Sequence, residues 1–297
     1  MKKQYRVGRL PYRVIFAEGG LNDDSIIPSS APFEEPLSDE HMLFELTVDD
    51  TFRSKEWGEE VGQFDCGGNN HGVYMRKDGS YEIHITDFRG RQACLLEASA
   101  DFSRGTVALN GGRDMRTFGL NNALMMMYAF AAADQGALLM HASVVREKGL
   151  GYLFLGVSGT GKSTHTANWL RFIPGTDLMN DDNPVVRFVD GQGIVFGSPW
   201  SGKTPCYRNI EAPIGAFVQL KQAPYNKIRR QTVIEAFASL LPSCSVMKWD
   251  KRIYGGICTT VTHIMEHVPT YYLENLPDEA AVRLSYETIT AQPSVAQ

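Results

Sequence analysis

The pattern of apolar and polar positions divides the chain into two regions. Up to residue 118, short runs that alternate apolar and polar residues stand between Gly-, Asp- and Asn-rich turn signals, a pattern that predicts strands. The candidate strands are residues 12–16, 42–48, 72–75, 81–86, 93–97 and 106–109, with a hairpin turn predicted at Lys77-Asp78-Gly79-Ser80. Residues 1–118 are therefore predicted to form a β-rich region that serves as a scaffold, a substrate-recognition module or an oligomerisation module.

From residue 119 onward, longer apolar segments alternate with loops. Residues 123–133, rich in Ala and Met, predict a buried core helix with Asn121 and Asn122 as its N-cap. This segment is well short of the ~20 apolar residues that a bilayer span needs. A C-terminal helix is predicted to begin at Pro277-Asp278. Its buried positions are predicted to be Ala280, Val282, Leu284 and Ile289. Residues 119–297 are therefore predicted to form an α/β domain.

A glycine-rich segment follows the apolar run 151–155. Gly156, Gly161, Lys162 and Ser163 fit the pattern G-x-x-x-x-G-K-[ST] of a phosphate-binding loop. The apolar run predicts a buried strand before the loop, and the absence of Gly and Pro over residues 163–172 predicts a helix after it. In such a loop, backbone N–H groups and the start of the helix surround an anion. The sequence therefore predicts a phosphate site here.

Two side chains of this motif have predicted roles. Lys162 supplies a positive charge for the outer phosphates, and the hydroxyl of Ser163 ligates Mg²⁺. The structural alternative is a tight strand-to-helix turn with an incidental lysine. The order of strand, glycine-rich loop and helix favours the phosphate site.

Phosphoryl transfer also needs carboxylates, one for the cation and often one for the proton of the nucleophile. The nearest candidates are Asp181 and Asp182, which are predicted to lie in a turn because Asn183-Pro184 follows them. Two adjacent acids allow one side chain to face the metal while the other faces the incoming hydroxyl. The alternative interpretation is a solvent-exposed Asp-Asp-Asn turn.

These residues together resemble a known superfamily. The run Met140-His141-Ala142-Ser143, a strand, the segment GVSGTGKST and the later Asp pair are similar to HPr kinase/phosphorylase and ATP-dependent phosphoenolpyruvate carboxykinase. The resemblance covers about residues 138–225 and implies a P-loop kinase domain with a mixed sheet. It also implies ATP and Mg²⁺ as ligands. The segment 197–203 resembles the substrate-side loop of HPr-kinase-like serine kinases.

The resemblance implies roles for individual residues. Asp181 would be the general base, while Asp182 together with Ser163 would hold the cation. His141 would lie beside the transferred phosphate, although a core histidine is an equally good interpretation, and Lys203 would neutralise developing charge or be an ordinary loop lysine. The predicted nucleotide-binding residues are Gly156, Ser158, Gly159, Thr160, Gly161, Lys162, Ser163 and Thr164.

Composition and charge narrow the class of partner. The chain has 297 residues, 43% hydrophobic and 21% charged, which is typical of a globular protein. Its net charge of −5 gives no support for a nucleic-acid or membrane partner. We expect a nucleotide and a hydroxyl acceptor as partners, and homo-oligomerisation stays open.

Cysteine usage and the N-terminus indicate the compartment. The five cysteines are scattered without a C-x-x-C pair, and the basic N-terminus lacks an apolar signal region. We therefore expect a cytoplasmic protein. His263 and His267 form an H-x₃-H pair, but the strand-like residues 259–262 before it and the lack of a third ligand nearby argue against a metal site.

The sequence favours one function over two others. The leading hypothesis is an ATP- and Mg²⁺-dependent kinase that transfers the γ-phosphoryl group to a hydroxyl, either a serine of a protein or peptide or a small serine-like alcohol. The long glycine-rich signature of HPr kinases is not recognisable in this chain, so a non-catalytic nucleotide-binding regulator is the alternative. A carboxykinase-like enzyme ranks lowest, because its additional Arg, Lys and His residues are not found.

Overall fold

The computed structural model describes residues 1–54, 58–65, 70–202 and 204–291. The chain divides into two compact units, Met1–Gln135 with Met247–Tyr254, and Gly136–Val246 with Gly255–Gln297. Strands and helices occur in both units. The predicted mixture of α and β structure is therefore confirmed. The change of sequence pattern at residue 118 lies within a helix, and the division between the units follows that helix.

The first unit contains a large mixed sheet. Its described strands are β1 (Lys2–Val7), β2 (Leu10–Phe16), β3 (Glu34–Glu35), β4 (Glu45–Val48), β5 (Glu59–Asp65), β6 (Asn70–Met75), β7 (Tyr81–Thr86), β8 (Gln92–Ala98) and β9 (Arg104–Leu109). They lie in the order β3-β1-β2-β4-β9-β8-β7-β6-β5. β4 is parallel to both β2 and β9, and the other pairs are antiparallel. The predicted hairpin joins β6 to β7, with Gly79 at a φ of 83°.

The Ala/Met-rich segment forms the long helix of this unit, α1 (Arg113–Ala131). The prediction of a buried helix is confirmed, but its N-terminus was placed too late. The helix begins after Gly112, and the amides of Asn121 and Asn122 donate to carbonyl oxygens one turn earlier. These asparagines therefore lie inside the helix. Short polar side chains that bond back to the preceding turn give a cap-like signal in sequence without starting a helix.

The second unit is built on another mixed sheet. Its strands are β10 (Ala137–Leu139), β11 (Ala142–Glu147), β12 (Leu150–Leu155), β13 (Asp177–Asp182), β14 (Val185–Val189), β15 (Gln192–Phe196), β16 (Glu211–Gln222), β17 (Lys227–Arg230) and β18 (Thr270–Asn275). The main order is β10-β14-β15-β16-β12-β11-β13, and β18 pairs with β16 and β17. The described α-helices after α1 are α2 (Lys162–Phe172), α3 (Val233–Leu240), α4 (Lys251–His267) and α5 (Glu279–Thr290).

The strand directions bring several chain ends to one edge of this sheet. β12, β16 and β18 are parallel. β13 runs in the same direction as β12, because both are antiparallel to β11. The carboxyl ends of β12, β13, β16 and β18 and the start of β11 therefore meet at one edge, where open α/β sheets bind ligands.

An apolar core fixes this edge in place. Trp169 of α2 and Val282 of α5 pack with Tyr152, Phe154 and Tyr271 of the sheet in one buried cluster. In the part of the chain that is described, no helix is both long enough and apolar enough to cross a membrane.

Two predictions about the C-terminal part of the chain were wrong, one on burial in a helix and one on a strand. α5 begins after Asp278 as expected, and the Asp278 side chain caps it by accepting from the N–H of Ala281. The prediction that Ala280 is buried was wrong, since Ala281 takes that place and Leu284 is only partly buried. The strand-like residues 259–262 belong to α4, because β-branched residues are tolerated in a helix that packs against a core.

Candidate functional site

A short glycine loop, residues 156–161, connects β12 to α2. Gly156 and Gly161 have φ angles of 151° and 100°, which side-chain-bearing residues rarely adopt. A Cβ atom at Gly156 would lie 2.7 Å from Oγ1 of Thr160. At Gly159 and Gly161, by contrast, a Cβ would meet no atom within 4 Å. The backbone of the loop is therefore open to a ligand on that side.

The predicted strand and helix flank the loop as expected. β12 is buried over residues 151–155, and α2 begins at Lys162. Ser158, Ser163 and Thr164 are exposed around the loop. The N-terminus of α2 carries unpaired backbone N–H groups and the positive end of the helix dipole. An anion placed against the loop would be stabilised by both.

Polar contacts connect the start of α2 to the end of β13. Nζ of Lys162 donates to the carbonyl oxygen of Gly156 at 2.7 Å and contacts Nε2 of His141 at 2.8 Å. Because an ammonium group only donates, Nε2 accepts, and the ring hydrogen is on Nδ1. Nδ1 lies 2.8 Å from Oδ1 of Asp182. The neutral imidazole therefore joins the lysine to this carboxylate.

Burial sets the electrostatics of this lysine. Lys162 is 9% exposed. Burial lowers the pKa of its ammonium, whereas the carboxylates of Asp182 and Asp181 oppose the shift. A phosphate bound at the loop would add negative charge close to a cation that is poorly solvated, which is favourable for both groups.

Asp181 and Asp182 point to opposite faces of β13, and the carboxylate of Asp181 contacts two hydroxyl groups. Its Oδ1 accepts from Oγ of Ser143 at 2.8 Å and from Oγ of Ser163 at 3.0 Å. The residue is 4% exposed, while the Asp182 side chain is 33% exposed. The alternation of the strand thus turns the two carboxylates to opposite faces, with Asp181 beside the predicted metal ligand Ser163 and Asp182 partly exposed to solvent.

The prediction that the Asp pair lies in a turn was wrong. Both residues belong to β13, which ends at Asp182. Asp182 has a φ of 137° and forms a bridge with Ser201. A left-handed conformation at a non-glycine residue is costly, and it persists only where the surroundings hold it. Tertiary contacts such as the bridge to Ser201 therefore hold the aspartate pair in place. The local sequence pattern did not reveal this position.

The segment after β15 contacts the backbone of the aspartate pair. Oγ of Ser201 donates to the carbonyl oxygen of Asp181 at 3.0 Å, and the N–H of Gly202 donates to the same oxygen. A Cβ at Gly202 would lie 3.0 Å from Cβ of Asp182, so a larger residue would push against the pair. The predicted site residue Lys203 lies outside the described residues.

A buried histidine supports the same helix from behind. Nε2 of His165 accepts from Nε1 of Trp169 at 3.2 Å, and Nε1 also lies 3.1 Å from Oγ of Ser285 in α5. Burial lowers the pKa of His165 to about 4. The neutral ring is thus part of the joint between α2 and α5.

This histidine predicts acid-sensitive stability. The unfolded chain takes up a proton near pH 6.5, while the folded protein does so only near pH 4. Stability from this group is therefore complete above pH 6.5 and is lost as the pH falls towards 4, by roughly 3 kcal/mol in total. Denaturant unfolding between pH 7.5 and 4.5 should show a slope that His165→Gln flattens. The same change at exposed His263 is the control, and equal slopes in all three proteins would contradict the prediction.

Both histidines of the H-x₃-H pair lie beside an aromatic ring. The rings of His263 and His267 lie 5.7 Å and 4.7 Å from that of Phe188, centroid to centroid. Within the described ranges, no group of three or more His, Cys, Asp or Glu side chains is arranged to hold a metal.

Sequence reasoning gave no role to two polar residues near the loop. Ser143 contacts Asp181, as described above. Nε2 of Gln222, at the end of β16, donates to the carbonyl oxygen of Gly159 at 3.1 Å. The sequence did contain a hint for Ser143, because this residue belongs to the run 140–143 that carries the family resemblance. Gln222 had none, since its proximity depends on the pairing of β16 with β12.

Comparison with known proteins shows a distant similarity to a solved structure. No protein-family model matches the chain, and no curated protein matches it. Among solved structures, the chain is similar to the HPr(Ser) kinase/phosphatase from Coxiella burnetii, with 13% identity and a TM-score of 0.30, over 52% of this chain and 93% of that one.

The fold and the site themselves define the class. This is a mixed α/β protein with a strand, glycine loop and helix at one sheet edge, where a buried lysine and two carboxylates meet.

Proposed function

We propose that this chain is an ATP- and Mg²⁺-dependent kinase of the HPr-kinase-like type. It transfers the γ-phosphoryl group to a hydroxyl, a serine of a protein or peptide or a small serine-like alcohol. The observation that carries the proposal is the meeting of Lys162, Ser163, Asp181, Asp182 and His141 at the edge where β12 and β13 end. Those are the groups that phosphoryl transfer needs for charge neutralisation and proton removal.

The chain's own residues would bind the nucleotide as follows. Backbone N–H groups of the glycine loop and of the first turn of α2 would donate to the phosphate oxygens. Nζ of Lys162 would exchange its contact with the Gly156 carbonyl for a phosphate oxygen. Gln222 would keep the loop in its open form through the Gly159 carbonyl.

The residues present fit a divalent cation. Oγ of Ser163 and Oδ1 of Asp181 are 3.0 Å apart. Mg²⁺ prefers hard oxygen ligands and is held through one or two carboxylates together with substrate phosphates. When bound, it would neutralise the charge of the transferred group. We therefore propose Ser163 and Asp181 as the cation ligands.

The proton of the acceptor hydroxyl then falls to the other carboxylate. Asp182 is more exposed than Asp181, and His141 donates to it. A carboxylate on the open side can reach an incoming hydroxyl, which a carboxylate enclosed by Ser143 and Ser163 cannot. We propose Asp182 as the general base and His141 as the group that orients it. This exchanges the roles that the family resemblance implies for the two aspartates.

Transfer itself is the direct test of the function. Incubation with Mg²⁺ and γ-labelled ATP should label a serine peptide or a small serine-like alcohol, and Asp182→Asn should lower the rate of labelling by roughly 10²–10⁴-fold. If saturating ATP stabilises the protein but neither labelled acceptor nor released phosphate forms, the chain is a nucleotide-binding regulator instead. Turnover that requires bicarbonate or oxaloacetate would indicate a carboxykinase-like enzyme.

A further inference from the structure

The registration of two strands places a buried serine directly opposite one of the carboxylates. Ser143 of β11 pairs with Asp181 of β13. The register shifts between Val144 and Val145, where Met179 is the additional residue on β13. Bulges near functional sites re-aim side chains. This one brings Asp181 into line with Ser143 on the face of the sheet that α2 covers.

A hydroxyl at this position is unusual for its surroundings. Ser143 is fully buried, and Val145, two residues further on the same face, belongs to the apolar core. A buried hydroxyl without a partner is costly. Two oxygens lie within reach of the Ser143 Oγ, namely Oδ1 of Asp181 at 2.8 Å and Oγ1 of Thr166 at 3.1 Å. The serine therefore needs a specific contact to be tolerated there.

The single hydrogen of Ser143 goes to the carboxylate. Hydrogen bonds to a charged acceptor are shorter and stronger than those between neutral groups, and the contact with Asp181 is the shorter one. Thr166 uses its own hydrogen on the carbonyl oxygens of Ser163 and Lys162, at 3.0 Å and 3.2 Å. Its oxygen is thus a second neighbour of Ser143, at 3.1 Å.

We infer that Ser143 is a positioning residue that fixes the carboxylate of Asp181 for the cation, an inference that rests on the proposed kinase site. Its hydrogen bond approaches the same Oδ1 that Ser163 contacts. The hydrogen bond from Ser143 of β11 thereby fixes the carboxylate so that it faces Ser163 at the start of α2. Without Ser143, Asp181 would rotate away from Ser163 in part of the molecules, and the cation would bind more weakly. Groups that orient a metal ligand affect affinity by about 10–100-fold.

Mn²⁺ binding in the presence of ADP tests this inference without relying on catalysis. Free Mn²⁺ can be followed by electron paramagnetic resonance during a titration of the full chain. Ser143→Ala is expected to raise the dissociation constant for Mn²⁺ about tenfold, with ADP affinity in the absence of metal unchanged. Ser143→Thr keeps the hydroxyl and should bind Mn²⁺ like the wild type. Thr166→Val, the matched control, removes the neighbouring hydroxyl and should stay within about twofold.

A double-mutant cycle identifies the partner. In an Asp181→Asn background, Ser143→Ala should weaken Mn²⁺ binding no further, because the group it positions has lost its charge. If Ser143→Ala does not fold cooperatively, Ser143→Cys replaces it, since a thiol is a weaker donor and should also weaken Mn²⁺ binding.

The outcomes separate the two proposals. Wild-type Mn²⁺ affinity in Ser143→Ala would overturn the role of Ser143 and leave the kinase site standing. A wild-type chain that binds ADP but no Mn²⁺ with it would instead overturn the proposed cation site. Equal losses in Thr166→Val and Ser143→Ala would indicate a general packing role for the network and would also overturn the inference.

Discussion

Lys162→Ala is expected to abolish the thermal stabilisation that Mg²⁺ and ATP give to the wild-type chain. A ligand at a hundred times its dissociation constant adds about 2.7 kcal/mol, which corresponds to a shift of roughly 5–10 °C for a unit of this size. The variant loses the ammonium next to the glycine loop. Because burial already lowers the pKa of that ammonium, the variant without ligand should fold with a melting temperature close to that of the wild type.

The control for this prediction lies on the same helix. Arg171 is at the other end of α2, where its guanidinium lies over the ring of Phe172. Arg171→Ala removes one positive charge from the helix and should keep the full shift with Mg²⁺ and ATP. A shift of equal size in Lys162→Ala would show that Lys162 does not contact the phosphates. No shift with ATP, GTP or ADP in the wild type would mean that the glycine loop binds no nucleotide.

Asp182→Asn is expected to lower phosphoryl transfer by roughly 10²–10⁴-fold, the usual contribution of general acid–base catalysis. The amide cannot accept the proton of the acceptor hydroxyl. Stabilisation by Mg²⁺ and ATP should persist, because Asp182 lies on the open side of β13 and pairs with His141. Initial rates of acceptor labelling, compared with thermal shifts on the same preparations, measure the two properties separately.

Asp181→Asn is the matched partner of this variant, identical in chemistry and one residue away. It should weaken the dependence of nucleotide binding on Mg²⁺, because Asp181 lies beside Ser163. The reverse pattern, in which Asp181→Asn keeps Mg²⁺-dependent binding and loses transfer alone, would restore the assignment that the family resemblance implies. Unchanged transfer in both variants would remove the aspartates from the mechanism.

The local sequence was sufficient to identify the strand, the glycine loop and the helix of the proposed phosphate site. The pattern around Gly156 and Lys162 predicts a strand, a loop and a helix, and β12 and α2 occur there. Local determination is expected at this point, because glycine at positive φ and the start of a helix depend on neighbouring residues only. The strands 81–86 and 93–97 of the first region follow from alternation for the same reason.

Only the tertiary structure decided which groups meet at the site. The sequence placed Asp181 and Asp182 in one turn and gave them roles by resemblance, but both lie in β13, where strand alternation turns them to opposite faces. Ser143 reaches Asp181 through pairing across 38 residues, and Gln222 reaches the loop through the pairing of β16 with β12. Register between distant strands depends on burial of the whole sheet face. The local sequence therefore determines the strand, glycine loop and helix, and the packed sheet determines which side chains surround them.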